Sequence, residues 1–165
     1  KFNGFIIGFN SCRPKSRGSI TISSNNINED PVIDPNYLSH DGDIYDLECA
    51  FDFVRKLSGT KSIKNIIKDY ININPIDASN HELIKHFREN ASSVYHPCGT
   101  CRMGNNLNDS VVSRRLKVHN LENLWIADAS IFPNIPSGNI NAPVMMSAFN
   151  ASKLILEDIK KNNEN

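Results

Sequence analysis

Residues 127–143 read Ala127-Asp128-Ala129-Ser130-Ile131-Phe132-Pro133-Asn134-Ile135-Pro136-Ser137-Gly138-Asn139-Ile140-Asn141-Ala142-Pro143. Small residues, two prolines (Pro133 and Pro136) and no apolar period make 128–141 a long loop. A short strand at Leu124–Ala127 precedes it, and a helix from Ala142 to Lys160 follows. Pro143 falls in the first turn of that helix, where a missing N–H costs nothing. Asp128 is expected at the carboxyl end of the strand, a common place for a ligand-facing acid. Asn139 and Asn141 stand just before the helix N-terminus, whose free N–H groups and positive dipole end favour partial negative charge. Asn141 is also expected to cap the helix.

A second long segment without apolar period, 97–110, follows Tyr95-His96 and opens Pro97-Cys98-Gly99-Thr100-Cys101-Arg102-Met103-Gly104. Loops of this length inside a domain are usually functional or disordered. A His held beside a Pro suits a positioned base, because its ordinary pKa lies near neutrality. The competing reading of His96 is a hydrogen-bonded structural histidine. Cys98-x-x-Cys101 admits zinc, with His96 or His119 as further ligands, a dithiol redox pair, or two partly buried thiols. The spacing matches no familiar zinc finger, and the βαβ setting of a redox CxxC is missing. No metal is expected.

Further out, residues 2–12 and 18–23 read as strands, the second from its partial alternation Ser19-Ile20-Thr21-Ile22-Ser23. Residues 24–40, rich in Asn, Asp and Pro, read as a loop. A helix is expected over Asp43–Leu57, with Ile44, Leu47, Phe51 and Val54 on one face and Gly59 closing it. Ser62–Lys68 is a weaker helix. Ser79 with Glu82 three residues on forms a capping box, opening a helix to about Glu89. Arg115–Val118 and Leu124–Ala127 read as short strands around a turn at Asn120.

The chain has 165 residues, enough for one domain with a core. Eighteen basic and eighteen acidic residues balance, which argues against a general nucleic-acid binder. No apolar run approaches the ~18 residues of a membrane span. Three Asn-x-Ser sequons, at Asn90, Asn108 and Asn150, are expected by chance among 23 asparagines. Four cysteines are too few for a disulfide scaffold. The chain begins at Lys1 without Met and reads as a piece of a longer protein, so the compartment stays open.

Taken in order, several blocks resemble the C-terminal region of the glucose–methanol–choline (GMC) oxidoreductase family. Arg13-Pro14-Lys15-Ser16-Arg17-Gly18 is similar to its RPxSRG block, and Asp34-Pro35-Asn36-Tyr37-Leu38 to its DPNYL block. His96-Pro97-x-Gly99-Thr100, Leu124–Ser130 and Gly138-Asn139-x-Asn141-Ala142-Pro143 complete the set. The resemblance spans about Cys12 to Ile155. Ser113-Arg114 replaces the usual acid-Pro, Asn120 the usual turn Gly, and Trp125 a common basic residue. Asn120 suits a turn that needs positive φ.

The resemblance implies an FAD flavoprotein that oxidises a small alcohol to a carbonyl. It implies His96 as the base and Asn139 as the second catalytic residue, which orients the substrate oxygen. Asn139, Ile140, Asn141 and Ala142 would face the flavin pyrimidine edge, while Asp128 and Ala129 would touch the ribityl–phosphate region. It implies an α+β fold, with a substrate domain over 1–120 formed by an antiparallel sheet with helices on one face. Residues 121–160 would then return a strand, loop and helix to the FAD-binding domain, and 161–165 would be a polar tail. A non-redox flavoprotein of the same fold, a lyase or photodecarboxylase, stays open, as does a zinc- or thiol-binding module at Cys98 and Cys101. The family's GxGxxG fingerprint for the FAD pyrophosphate occurs nowhere in the chain. The segment is therefore expected to need the N-terminal FAD-binding part of its parent.

Overall fold

Ser79 opens the helix that the sequence marks most clearly. Its side chain accepts the Glu82 N–H, and the Glu82 carboxylate accepts the Ser79 N–H at 2.9 Å, so both halves of the capping box form. The structure, a computed structural model, describes residues 3–164, with the backbone alone at 162 and 163. Lys1 and Phe2, at the head of the expected first strand, and Asn165, at the end of the polar tail, lie outside the described residues. Chain order gives β1 (Ser19–Thr21), β2 (Val32–Asp34), α1 (Asp41–Gly59), α2 (Lys61–Lys64), α3 (Asn80–Asn90) and α4 (Asn141–Asn163), with a 3-10 turn at Ala129–Ile131. These fall into two compact units, one of residues up to Gly18 with 34–93, the other of 19–33 with 94–165.

The first unit is built on α1 and α3. Leu47 and Phe51 from α1 and Leu83 from α3 are buried, ringed by Phe9, Leu38, Ile73 and Phe87. Phe9 meets Phe51 edge-on at 5.6 Å and stacks on Phe87 at 5.7 Å, the offset and edge geometries that aromatic quadrupoles favour. These contacts hold Phe9 by its ring. The expected strand over 2–12 is absent among the described residues, because a strand needs a hydrogen-bonded partner and residues 3–12 pair with none.

Helix α1 begins two residues earlier than expected. The His40 side chain accepts the Gly42 N–H at 2.9 Å, and Asp41 and Asp43 place negative charge in the first turn. Gly59 is the last helical residue and Thr60 the cap, whereas the sequence put the stop at Gly59. The weaker helix over 62–68 reduces to the single turn α2.

Asp43 does more than start α1. It is buried, and its carboxylate accepts the Lys15 N–H at 2.7 Å, the Ser16 N–H at 2.8 Å and the Ser16 hydroxyl. Ser16 Oγ in turn accepts the Ser39 N–H at 3.0 Å and the His40 N–H at 3.2 Å. Gly18 packs against the next block so closely that a Cβ would lie 2.1 Å from the Asp34 carbonyl oxygen. Arg13–Gly18 and Asp34–Leu38, read separately in the sequence, are thus one clasp on the start of α1.

In the second unit, Val112, Leu116, Ile131 and Ala151 form the buried core, with Met103, Val118, Ile126, Phe132 and Ile155 packed around it. β1 and β2 form a two-stranded antiparallel sheet, and all their residues are exposed. The α+β class holds, but the sheet is far smaller than a layer backed by helices. β2 also lies inside the stretch 24–40 expected as loop; Val32-Ile33 supplies the β-branched residues that let it pair.

The strands expected at Arg115–Val118 and Leu124–Ala127 reduce to isolated bridges, Val112 with Val118 and Lys117 with Trp125. The backbone explains this. Leu116 has φ 64°, Asn120 58° and Asn123 55°, so the extended conformation breaks inside the first run and in the connecting turn. Asn tolerates that conformation, as expected at position 120. Leu116 does not, at a cost of ~1–3 kcal/mol held in place by its burial.

Burial pushes the Asp43 carboxyl upward, and the hydrogen bonds from Lys15 and Ser16 more than offset it, leaving the pKa below 3.8. A carboxyl depressed in the folded state contributes stability in full above its unfolded pKa and loses it as pH falls through the folded value. Asp43→Asn keeps the shape but turns an NH2 toward donors. It is expected to destabilise the full-length protein at neutral pH by about 1–3 kcal/mol. Unfolding followed against pH should show the gap to wild type closing as pH drops below 3.8.

Candidate active site

Two of the segments singled out in the sequence meet edge to edge. The Cys101 N–H donates to the Ser130 carbonyl at 3.0 Å, and the Met103 N–H to the Ile131 carbonyl at 2.8 Å. The 99–103 stretch is therefore registered against the 3-10 turn that carries Ser130 and Ile131. Ile131 is completely buried, so this register is anchored in the core of the unit. On its other side the segment continues into the core, with Val111 N–H to the Arg102 carbonyl at 2.9 Å and Gly104 N–H to the Val112 carbonyl at 2.9 Å.

Gly99 makes the approach possible. Its φ is 94°, and a Cβ there would meet the Phe132 carbonyl oxygen at 3.2 Å. His96 lies three residues upstream, half-buried, between Pro97 and Tyr95. Tyr95 has φ 60°, a conformation rare for an aromatic residue and found where function or surrounding structure imposes it. His96 is thus mounted between a left-handed residue and a ring that fixes φ.

Asp128 does not end a strand. It caps the 3-10 turn, accepting the Ser130 N–H at 2.8 Å and the Ser130 hydroxyl. Its side chain is exposed, and Ala129 beside it is half-buried.

The third segment reaches the same core through α4. Ser137 (φ 40°) and Gly138 (φ 154°) turn the chain, and Ile140, 6% exposed, is buried just before the helix. The cap is Ile140, without a side-chain bond, and Asn141 is the first helical residue, so the expected Asn141 cap is not made. The positions explain it: a cap must precede the first helical residue, and the helix starts one residue early. No acid occupies the first turn, and Pro143 has no N–H. The N–H groups of Asn141 and Ala142 are left at the positive end of a 23-residue helix, with Asn139, Asn141 and Ala142 exposed. This end suits an electronegative edge.

The structure ties the His96 and Asp128 segments together directly, and the Asn139–Ala142 segment leads into α4, whose Ala151 lies in the same core. Cys98 and Cys101 are half-buried thiols, and among the described residues no group of three His, Cys, Asp or Glu gathers as a metal site. Ser110 and His119 approach at 3.0 Å, but the Ser110 hydroxyl donates to the Asn106 carbonyl. The imidazole must then be the donor, so this is no activated serine. An open hollow of about 440 Å³ beside it, lined by Ser113 and residues 117–122, contains none of the expected site residues. Sequence reading missed the Ser130 hydroxyl, although Asp128-x-Ser130 is a legible local cap.

With this geometry in hand, comparison with known proteins is decisive. The family model described as GMC oxidoreductase matches residues 14–148. The chain belongs to the GMC oxidoreductase family. This GMC chain is 39% identical over 156 residues to an alcohol dehydrogenase [acceptor] of Pseudomonas putida, and 37% identical over 156 to an oxygen-dependent choline dehydrogenase of Brucella anthropi. The matches cover 94% and 93% of the chain but 28% of each relative, so the chain spans little more than a quarter of their length. Among solved structures it is similar to pyridoxine 4-oxidase of Mesorbium loti (TM-score 0.74, 31% identity, 86% of this chain and 28% of that one). It is also similar to formate oxidase of Aspergillus oryzae RIB40, solved to follow FAD modification (TM-score 0.82, 29% identity, 91% and 26%).

Gly99→Ala tests the register. A methyl in a left-handed conformation against the Phe132 carbonyl should destabilise the full-length protein by about 1–3 kcal/mol. Thermal unfolding checks it, and an unchanged midpoint would show that 99–103 does not pack as described.

Proposed function

We propose that this chain is the C-terminal catalytic part of an FAD-dependent oxidoreductase that oxidises a small alcohol to an aldehyde or ketone. One observation carries the reading. The hydrogen-bonded register of 101–103 on 130–131 sits on the core that also seats α4, so the three segments bearing the expected site residues belong to one unit. Family membership and relatives named alcohol and choline dehydrogenases support it.

In this reading FAD, when bound, supplies the acceptor for the carbinol hydride at its N5. His96 takes the hydroxyl proton; its mounting between Tyr95 and Pro97 restricts where the imidazole can go. A positioned base of this kind contributes about 10²–10⁴-fold in rate. Asn139 hydrogen-bonds the substrate oxygen and orients it. Asn141 and Ala142, with Asn139 and Ile140, would hold the cofactor's pyrimidine edge, a place that the uncapped N–H groups of α4 make favourable to negative charge. Asp128 and Ala129 line the ribityl–phosphate side. Residues 1–120 serve as substrate domain and 121–160 return to the FAD-binding domain, followed by the polar stretch 161–165, whose first three residues continue α4.

The chain also needs its parent's N-terminal FAD-binding part. Met145, Met146, Phe149 and Leu156 of α4 are all more than half exposed, although the opposite face already buries Ala151. A helix apolar on both faces is a helix meant to be covered on both. No helix among the described residues is long and apolar enough to cross a membrane.

His96→Ala in the full-length protein is expected to lower kcat/KM by about 10²–10⁴ with an alcohol that bleaches the wild-type flavin anaerobically. Unchanged turnover would refute the base assignment. The 165-residue chain mixed with FAD is expected to stay colourless after gel filtration. A tight yellow complex that turns over alcohol would remove the need for the rest of the parent.

A further inference from the structure

The guanidinium of Arg115 grips α4 near its far end. Nε lies 2.9 Å and Nη2 2.7 Å from Asp158 Oδ1, while Nη2 also reaches Glu157 Oε2 at 3.1 Å and the Leu154 carbonyl at 3.2 Å. One planar fork thus reads three residues of a single turn. Trp125 packs its buried Nε1–H toward the same Asp158 carboxylate without reaching hydrogen-bond geometry.

The mount of this fork is rigid. Leu116, the next residue, is 5% exposed in the core at φ 64°. Its N–H donates to the Ser113 carbonyl at 2.9 Å, and its carbonyl accepts the Ile126 N–H at 3.0 Å. The apolar contact between α4 and the core is by contrast smooth: Ala151 is the one α4 residue in the buried cluster, with Ile155 beside it. A methyl lets a helix approach closely but offers little to resist sliding along the axis. A planar fork with directed donors does resist it, which a compact ammonium on a flexible stem cannot.

We infer that Arg115 is a positioning residue, fixing the axial register of α4 and through it the placement of Asn139–Ala142. Asp158 and Asn141 are 17 positions apart, about 26 Å along the helix. A rigid helix transmits a one-residue slip over that length undiminished, as about 1.5 Å at the first turn, and a misplacement of that order at a reacting centre is enough to slow it strongly. The catalytic consequence rests on the function proposed above, whereas the register itself does not.

The test uses the full-length protein with Arg115→Lys, which keeps the charge and loses the fork, and Asp158→Asn, which removes its main acceptor. Amide exchange is expected to rise about tenfold over 141–146 and to stay at wild-type level over 99–104. The sulfite affinity of the bound flavin, a probe of positive charge near its pyrimidine edge, is expected to fall about tenfold, with kcat reduced and KM within about twofold. Wild-type exchange at 141–146 in both variants would overturn the inference. So would an equal rise over 99–104 and 141–146, the signature of an ion pair that merely stabilises the unit. A wild-type protein that holds no FAD and oxidises no alcohol would sink the functional reading instead, and the exchange data would still decide the register.

Discussion

Everything in the second unit depends on how two irregular segments are held against each other without a sheet. Two backbone hydrogen bonds, Cys101 to Ser130 and Met103 to Ile131, set one residue spacing and no other. They work because Ile131 and Val112 are both fully buried, which removes water as a competing partner for the adjacent carbonyls. Gly99 is needed for the same reason: a side chain there would push the Phe132 carbonyl away and open the pair. Long loops usually carry mobility. Here each loop is the other's scaffold, so residues that read as connections behave as core.

Part of this was legible from residue order. The capping box at Ser79, the Leu47 and Phe51 face of α1 and the tolerance of Asn120 for positive φ are local, set by residues within a turn of one another. That residues 3–12 form no strand was not legible, because β-forming residues say nothing about whether a partner is hydrogen-bonded to them. The run at 115–118 failed because nothing in leucine announces a left-handed backbone; only the packing of Leu116 imposes it. The grip of Arg115 on Asp158 spans 43 positions and leaves no periodic trace.

The candidate site divides along the same line. His96, Asp128 and Asn139 are singled out by position, beside Pro97, after an expected strand and before a helix N-terminus, and by the resemblance of their blocks to the family's. That their segments belong to one unit is a tertiary fact, which the register above and α4 express. The cap of α4 shows the limit well. Asn is a strong capping residue and stands one position too late, so its side chain is left exposed at the helix end instead of closing it.

The clasp at Ser16 has a direction. A serine hydroxyl holds one proton, and that proton goes to Asp43, so the two lone pairs are left for the Ser39 and His40 N–H groups. Hydrogen-bond polarity therefore runs one way, from the backbone before α1, through Ser16, into a single buried carboxylate. If the proton on Ser16 turns elsewhere, Asp43 keeps the Lys15 and Ser16 N–H groups but loses the hydroxyl, and one of the Ser39 and His40 N–H groups meets a hydrogen in place of a lone pair. The loop 14–18 and the residues that lead into α1 thus share one oxygen, and a change at Ser16 is felt on both sides of it.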